Sequence, residues 1–373
     1  MEGQNGALGR DDGWAMTWVF NPPAPGAFAT PRRDSGRAVA LWLWGLAALL
    51  LLMVLLGGAT RLTESGLSIT QWKPLTGVIP PLTGEQWAVA FENYKKTPQY
   101  AQVFPDMDLA GFKVIFFFEW AHRLLGRLIG LYAALPMIVF WARGRLPARL
   151  KPQLVGLIAL GALQGSVGWW MVQSGFAERT EVAQERLAIH LTLASVIFAW
   201  TVWIAAGESF RAREDAPAPG ARIFAFVLLA LVFVQIFFGG LVAGLRAGRA
   251  YMTWPLIEGN FIPPLDELAA MSPPWRNVLD NILTVQVEHR LTAYLLLALG
   301  LAQAAWLAIE DGLSSAATRR AILFLALVMV QAGLGITTLL LAVPLSAALA
   351  HQGVAMLVLA AATLNAQALA PEG

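Results

Sequence analysis

The chain has 373 residues, of which 57% are hydrophobic and only 13% are charged, and its formal net charge is +2. A soluble globular domain carries charges at about a quarter of its positions, so this composition excludes an ordinary soluble protein. The small net charge gives no reason to expect nucleic acid as a partner. The absence of cysteine excludes disulfides, thiolate metal sites, iron–sulfur clusters and thioether-linked cofactors.

The first 37 residues are polar and rich in proline and glycine, which predicts a flexible amino-terminal tail over 1–37. Eight apolar runs follow, each long enough to cross a bilayer as a helix. They cover residues 38–58, 114–141, 152–172, 187–206, 222–244, 283–309, 319–342 and 345–367. The sequence therefore predicts an all-α polytopic membrane protein with eight transmembrane helices.

The basic residues of the short connections predict the orientation of these helices. They precede the first run and follow the second, fourth and sixth: Arg32, Arg33, Arg37, Arg143, Arg145, Arg149, Lys151, Arg211, Arg213, Arg222, Arg319 and Arg320. By the positive-inside rule, both termini are predicted to be cytoplasmic and the long loops 59–113 and 245–282 to lie outside. We expect a multi-pass protein of a bacterial inner (cytoplasmic) membrane.

The two long loops carry ordered matches that indicate an internal duplication. Those in the first loop are Gly57-Gly58, Trp72, Gly77 and Ile79-Pro80-Pro81-Leu82. Those in the second are Gly239-Gly240, Trp254, Gly259 and Ile262-Pro263-Pro264-Leu265. We predict two tandem four-helix units, 38–210 and 219–373, joined by a cytoplasmic linker at 211–218. An even helix count per unit leaves both copies in the same orientation, related by an axis along the membrane normal.

The only four histidines of the chain fall at repeat-related positions. His122 matches His289, because Glu-Trp-Ala-His-Arg at 119–123 returns as Gln-Val-Glu-His-Arg at 286–290, and His190 matches His351. Each is predicted to lie within roughly the first two or three turns of the second, fourth, sixth or eighth helix, and all four therefore at similar depth in the outer half of the bilayer. Cofactor sites in helix bundles are built from facing helices, so we expect His122 to pair with His190, and His289 with His351.

Two neutral imidazoles in an apolar bundle fit the axial ligands of a haem. A zinc site would need further ligands, and a carboxylate-bridged di-iron site would need more acids than Glu119 and Glu288. Copper, which also accepts imidazole, stays an alternative. For any single histidine the alternative is a hydrogen-bonded packing role. For Arg123 and Arg290 the alternatives are propionate binding and a structural contact with Glu119 or with a loop carbonyl.

The acid beside the first histidine distinguishes the two units. Glu119 shares a helix face with His122, since residues three apart are neighbours on a helix. Its counterpart Gln286 can only form hydrogen bonds, whereas a carboxylate can also relay protons or orient an oxidant. The reactive site is therefore predicted to be the one that contains Glu119.

Several of these motifs together resemble the haem A synthase family. They are Glu-x-x-His-Arg at 119–123, the run Gly-Gly-Ala-Thr-Arg-Leu-Thr-Glu-Ser-Gly-Leu-Ser at 57–68, Ile79-Pro80-Pro81, the four histidines and the duplication. The resemblance covers about residues 38–367. Without cysteine, the chain is most similar to the proteobacterial and mitochondrial branch, not to members with a cysteine pair in the first outer loop.

This resemblance implies oxidation of the C8 methyl group of haem O to a formyl group, which gives haem A for terminal oxidases. It implies that the amino-terminal unit binds haem O, with Glu119, His122 and His190 as catalytic residues. It further implies that His289 and His351 hold a resident haem b, and that Arg123 and Arg290 contribute to cofactor binding. All four histidines would be iron ligands.

The partners implied are the farnesyltransferase that makes haem O, terminal oxidase assembly factors and an electron donor; a homo-oligomer is compatible with the sequence. The main alternative function is a bis-histidine dihaem electron-transfer protein, that is, a b-type cytochrome. Ligands at one depth argue against electron transfer across the membrane. A transporter built on parallel repeats would not explain four matched histidines.

Overall fold

The computed structural model describes residues 32–73, 76–176, 179–209 and 220–370. Within these residues the long helices are α1 Arg32–Leu62, α2 Leu109–Ala142, α3 Leu150–Gln173, α4 Gln184–Ser209, α5 Ala221–Gly244, α6 Ile282–Glu310, α7 Ala316–Leu340 and α8 Leu345–Ala368. All eight have the length and apolar composition to cross a membrane. The predicted all-α, multi-pass architecture is confirmed. Most of the predicted tail and the whole predicted linker lie outside the described residues.

Several helices begin earlier than the apolar runs predicted. Polar capping residues start these helices, and the first helical residues after the cap lie outside the apolar run. The side chain of Asp108 accepts a hydrogen bond from the backbone N–H of Gly111 and starts α2 at Leu109, five residues before the predicted start. Ser315 caps α7 in the same way, and Asn281 caps α6. Such caps satisfy backbone N–H groups that the first turn leaves unpaired. Helix α1 likewise begins at Arg32, inside the predicted tail.

The helices form two rings with the same neighbour relations. Helix α1 packs against α2, α2 against α3, α3 against α4, and α4 returns to α1. The same order holds for α5, α6, α7 and α8. Between the rings, α4 packs against α5, α1 against α8, and α4 against α8. These contacts map onto themselves when the first four helices are exchanged with the last four, as the duplication predicts.

The largest apolar core lies at the junction of the two rings. It combines Val54 of α1, Phe198 of α4, Val232 of α5 and Met356 of α8, each less than a tenth exposed. Helix α4 is the most buried, with 44% of its most apolar stretch inside the protein, whereas α2 and α3 reach only 6% each. The second and third helices therefore lie at the periphery and present most of their surface outward.

Short helices cover the ends of the bundle on the side of the two long loops, which we call the long-loop face. The first loop contains Gly84–Lys95 and Pro98–Val103, and the second contains Ala247–Ala250, Leu265–Leu268 and Arg276–Asp280. In the first loop Tyr94 stacks on Phe112 of α2, and its hydroxyl group donates a hydrogen bond to Gln99. Burial raises the pKa of Tyr94 above its usual range, so this aromatic cluster stays neutral at physiological pH.

An ion-pair network joins the two halves at this face. Arg246 lies 2.8 Å from Glu64 and also pairs with Glu181, which in turn lies 2.5 Å from Arg61. Glu64 and Arg246 are seven residues after the matched Gly57 and Gly239, and both adopt positive φ angles, 57° and 53°. The two repeat-related residues therefore contact each other directly, so the network lies where the two units meet.

Candidate functional site

Each histidine ring lies against a glycine of the preceding long helix. A Cβ atom at the glycine would come within 2.9–3.3 Å of the Cε1 atom of the ring in all four cases. The pairs are Gly57 with His122, Gly168 with His190, Gly239 with His289, and Gly335 with His351. Because a methyl group fits at none of these positions without a shift, the glycines let each imidazole sit flush against the neighbouring helix.

The two members of each predicted histidine pair lie near each other. His122 lies near His190, and His289 near His351, and the binding of one cofactor by each pair stays a prediction. His190, His289 and His351 lie within the first two or three turns of their helices, whereas His122 lies about four turns into α2. The difference arises because α2 begins early and its first turns pack under the loop aromatics.

Three of the four rings contact a glutamine that stands four residues before the glycine. The Nε2 atom of Gln164 lies 3.2 Å from both ring nitrogens of His190, and that of Gln235 lies 3.1 Å from Nδ1 of His289. Gln331 lies 3.4 Å from Nε2 of His351. The match of Gln164–Gly168 with Gln331–Gly335 is visible in the sequence as part of the duplication, but none of the three glutamines was predicted to belong to the site. The repeated Gln-x-x-x-Gly spacing, considered together with the histidines, could have identified them.

Backbone groups also lie beside the rings of the carboxy-terminal pair. The Nδ1 atom of His351 lies 3.2 Å from the carbonyl oxygen of Gln331, and the ring of His289 lies near the backbone of Gln235. Metal-ligating histidines typically use one ring nitrogen for a backbone contact of the His351 type, which fixes the tautomer. The placement of His351 therefore fits a histidine that holds a haem.

The donor set also suits haem better than the other metal sites. No group of three or more His, Asp or Glu side chains that could hold a metal ion occurs within the described part of the chain. A structural zinc site takes four such ligands and a catalytic one three. Paired imidazoles in an apolar bundle match the two axial positions of a haem iron.

Glu119 is buried, and both of its carboxylate oxygens have hydrogen-bond or ion-pair partners. One carboxylate oxygen accepts hydrogen bonds from the Ser68 hydroxyl and the Ile69 backbone N–H, both at 2.7 Å. The other lies 2.6 Å from the guanidinium of Arg123. Arg123 also donates to the carbonyl oxygens of Ile69 and Gln71. The acid and its partner thus tie the first long loop to α2 one turn from His122.

The second unit repeats this attachment with the amide of Gln286 in place of the carboxylate of Glu119. The amide of Gln286 donates to the carbonyl oxygens of Ala247 (3.3 Å) and Tyr251 (2.9 Å). Arg290 donates to the carbonyl oxygen of Thr253 at 2.7 Å and to that of Pro255. Both arginines therefore make the loop-carbonyl contact that the sequence analysis kept as an alternative. Their binding of haem propionates stays a prediction.

Comparison with known proteins agrees with these features. The model of a family described as "Cytochrome oxidase assembly protein" matches residues 40–363. A protein of Beijerinckia indica named "Heme A synthase" is 60% identical over 356 residues, which cover 95% of this chain and 99% of that protein. The chain belongs to the haem A synthase family. The resemblance stated from the motifs is thus confirmed.

Other members are similar over nearly the same length. A "Heme A synthase" of Rhodopseudomonas palustris is 55% identical over 339 residues, covering 90% of this chain and 92% of that protein. One of a Bradyrhizobium species is 52% identical over 345 residues, covering 91% and 93%. The matched region includes all eight long helices of the bundle, so the family assignment applies to both units.

Proposed function

We propose that this protein is a haem A synthase, which oxidises the C8 methyl group of haem O to a formyl group and so supplies haem A for terminal oxidase assembly. The observation that carries the proposal is the pair of repeat-related bis-imidazole sites in a chain of this family. Two hydroxylations of the methyl carbon would give a gem-diol, which loses water to leave the aldehyde. The oxidant and electrons come from outside the chain.

We assign the amino-terminal unit (38–210) to the substrate and the carboxy-terminal unit (219–373) to a resident haem b. His289 and His351 would hold haem b, and His122 and His190 would hold haem O. Fixed ring orientations suit a permanently bound group, and both rings of the carboxy-terminal pair lie beside backbone groups, of Gln331 at His351 and of Gln235 at His289. When bound there, haem b would supply one-electron transfer.

The packing of the peripheral helices supports the same assignment. Only 6% of the most apolar stretch of α2, and of α3, is buried, against 28% for α6 and 17% for α7. A substrate that enters and a product that leaves need helices that can move apart, which is easier where fewer residues are packed inside the protein. Helices α2 and α3 are less packed than α6 and α7, which favours the amino-terminal ring for exchange of a haem.

Glu119 is the ionisable group that we assign to the substrate unit. Its side-chain oxygens contact three donors, the Ser68 hydroxyl, the Ile69 backbone N–H and the Arg123 guanidinium. A carboxyl group positioned one turn from His122 can take part in proton transfer during oxidation of the methyl group or orient the oxidant. Its contacts also hold the first loop over the end of α2, so it positions part of the site.

The test of the function is chromatography of haems extracted from membranes in which the protein is co-expressed with a haem O-producing farnesyltransferase. We expect a formyl haem to appear, together with some haem O and the intermediate alcohol. The matched control expresses the farnesyltransferase alone and should contain haem O without haem A. If co-expression yields only protohaem and haem O, the protein is a dihaem electron carrier instead.

We also propose that both termini are cytoplasmic and that the long-loop face lies outside the bacterial inner membrane. Reporter fusions after Arg145 and Arg213 are then expected to report the cytoplasm, because basic residues are retained on that side. Fusions within 85–105 are expected to report the outer side. A fluorescent reporter and an alkaline phosphatase reporter at each position give opposite readouts, and the reverse pattern would overturn the orientation of every site.

A further inference from the structure

His122 is held differently from the other three histidines. His190, His289 and His351 each contact a glutamine amide of the preceding helix. The Nδ1 atom of His122 is buried and has no hydrogen-bond partner among the described residues. Its ring is therefore placed by packing alone, chiefly by the close approach to Gly57.

The cause is a single residue of α1. Four residues before the glycine, three of the helices carry Gln164, Gln235 or Gln331, and α1 carries Met53. The methyl carbon of Met53 packs towards Gly126, one turn beyond His122, and lies 3.3 Å from where a Cβ atom there would be. A thioether is at best a weak acceptor. Met53 thus fills the space of the missing glutamine without holding the imidazole.

The helix that carries His122 is also less constrained than its counterpart. Helix α2 is buried over 6% of its most apolar stretch, and the equivalent α6 over 28%. Its partner ligand His190 stands on α4, the most buried of the eight helices. Within the amino-terminal pair, His190 therefore stands on a well-packed helix and contacts the amide of Gln164. His122 stands on a peripheral helix and contacts no such amide.

We propose that Met53 makes His122 the exchangeable ligand of the amino-terminal pair, while His190 is the fixed one. The glutamine atoms that lie beside these rings are amide nitrogens, and the buried Oε1 atoms of Gln164, Gln235 and Gln331 have no hydrogen-bond partner among the described residues. Turning an amide over places its Oε1 atom as the acceptor for the N–H that a ligating imidazole keeps. Loss of such an acceptor typically weakens metal binding about 10- to 100-fold. A substrate haem has to be bound, exposed for reaction and released, which requires one iron–imidazole bond that breaks readily. The inference rests on the assignment of this pair to the substrate haem.

The test introduces the missing glutamine and follows carbon monoxide binding to the purified full-length protein, loaded with protohaem and reduced. Carbon monoxide binds only an iron with a free axial position, so its binding rate reports release of the weaker imidazole. We expect one of two haems in the wild type to bind it readily. Met53→Gln should slow that phase about tenfold or more. Met53→Leu, which conserves size and apolar character, should leave it unchanged.

The repeat supplies a reciprocal variant. Gln235 occupies in α5 the position of Met53 in α1, so Gln235→Met should make the His289 side of the second haem accessible to carbon monoxide. The spectrum of the unaltered haem in each variant shows whether the protein has folded. Equal carbon monoxide rates for Met53→Gln and Met53→Leu, or two unreactive haems in the wild type, would overturn the proposal.

These outcomes are separate from those of the proposed function. If the protein binds two haems but makes no haem A, the synthase assignment fails, and the carbon monoxide rates still show whether His122 is exchangeable. If haem A forms normally while Met53→Gln does not alter the rates, the synthase assignment stands and the role of Met53 is wrong.

Discussion

Replacing His289 or His351 with alanine is expected to remove the low-spin b-type spectrum that we predict for the purified protein. Each ring lies flush against a glycine and is oriented by backbone and amide contacts of Gln235 or Gln331. Alanine leaves the iron without one axial ligand in an apolar cavity, where no other described imidazole is placed to substitute. Absorption spectra and extracted haem content are the measurements.

The matched control is His122→Ala, which removes a ligand of the other pair and should leave the resident spectrum intact. Addition of free imidazole to His289→Ala provides a second check, because the cavity left by the side chain has the shape of the added ring. Recovery of a low-spin spectrum with imidazole would show that the variant is folded and lacks only its ligand. Unchanged spectra and haem content in both His289→Ala and His351→Ala would contradict the assignment of haem b.

Much of the fold could be predicted from the sequence because a bilayer imposes simple constraints. A spanning segment must satisfy its backbone hydrogen bonds internally and must be apolar over about 20 residues, so composition alone located all eight helices. The duplication then related His122 to His289 and His190 to His351. Ends of helices were less accurate, since caps such as Asp108 and Asn281 lie outside the apolar runs.

The contacts around the histidines could not be predicted in the same way. They join residues that are 16 to 65 positions apart, such as Gly335 with His351 and Gly57 with His122, and depend on the rotation of each helix about its axis. Apolar content does not determine that rotation in membrane helices, where almost every face is hydrophobic. The one sequence feature that indicates these contacts is the spacing Gln-x-x-x-Gly, which occurs at three of the four sites. Its connection with the histidines is evident only from the structure, which places the rings beside these residues.

The contacts of the charged residues could not be predicted from the sequence either. Glu119 and Arg123 were expected at the cofactor, and their described contacts attach the first loop to α2. Arg61, Glu64, Glu181 and Arg246 were not singled out, although they connect the two halves. Charge partners separated by 65 to 182 residues leave no local pattern that a sequence reading could use.

Glu119→Gln is expected to lower haem A formation strongly while the protein keeps its fold and its haem b. Loss of a positioned acid or base typically costs about a hundredfold to ten-thousandfold in rate. Glutamine is the informative replacement, because Gln286 already holds the second loop by donating to the carbonyl oxygen of Tyr251. Both glutamine and alanine remove the ion pair with Arg123, but glutamine keeps an acceptor oxygen, whereas alanine would leave the Ser68 hydroxyl and the Ile69 backbone N–H without their acceptor.

Two further variants separate chemistry from loop attachment. Ser68→Ala removes one hydrogen bond to the carboxylate and keeps the acid, so a loss of activity as large as that of Glu119→Gln would indicate that the loop contact is what matters. Gln286→Glu places an acid in the carboxy-terminal unit and should change product formation little, if that unit only holds a haem.

The measurement is the set of haem O, alcohol and haem A fractions extracted from each variant. If Glu119 transfers a proton, Glu119→Gln should accumulate haem O or the alcohol, whereas Ser68→Ala, which keeps the acid, should still form haem A. A purely structural acid would instead give similar losses of haem A in both variants. Normal haem A output from Glu119→Gln would show that the carboxylate serves only the loop, and the assignment of the reactive half would then have to rest on His122 and His190 alone.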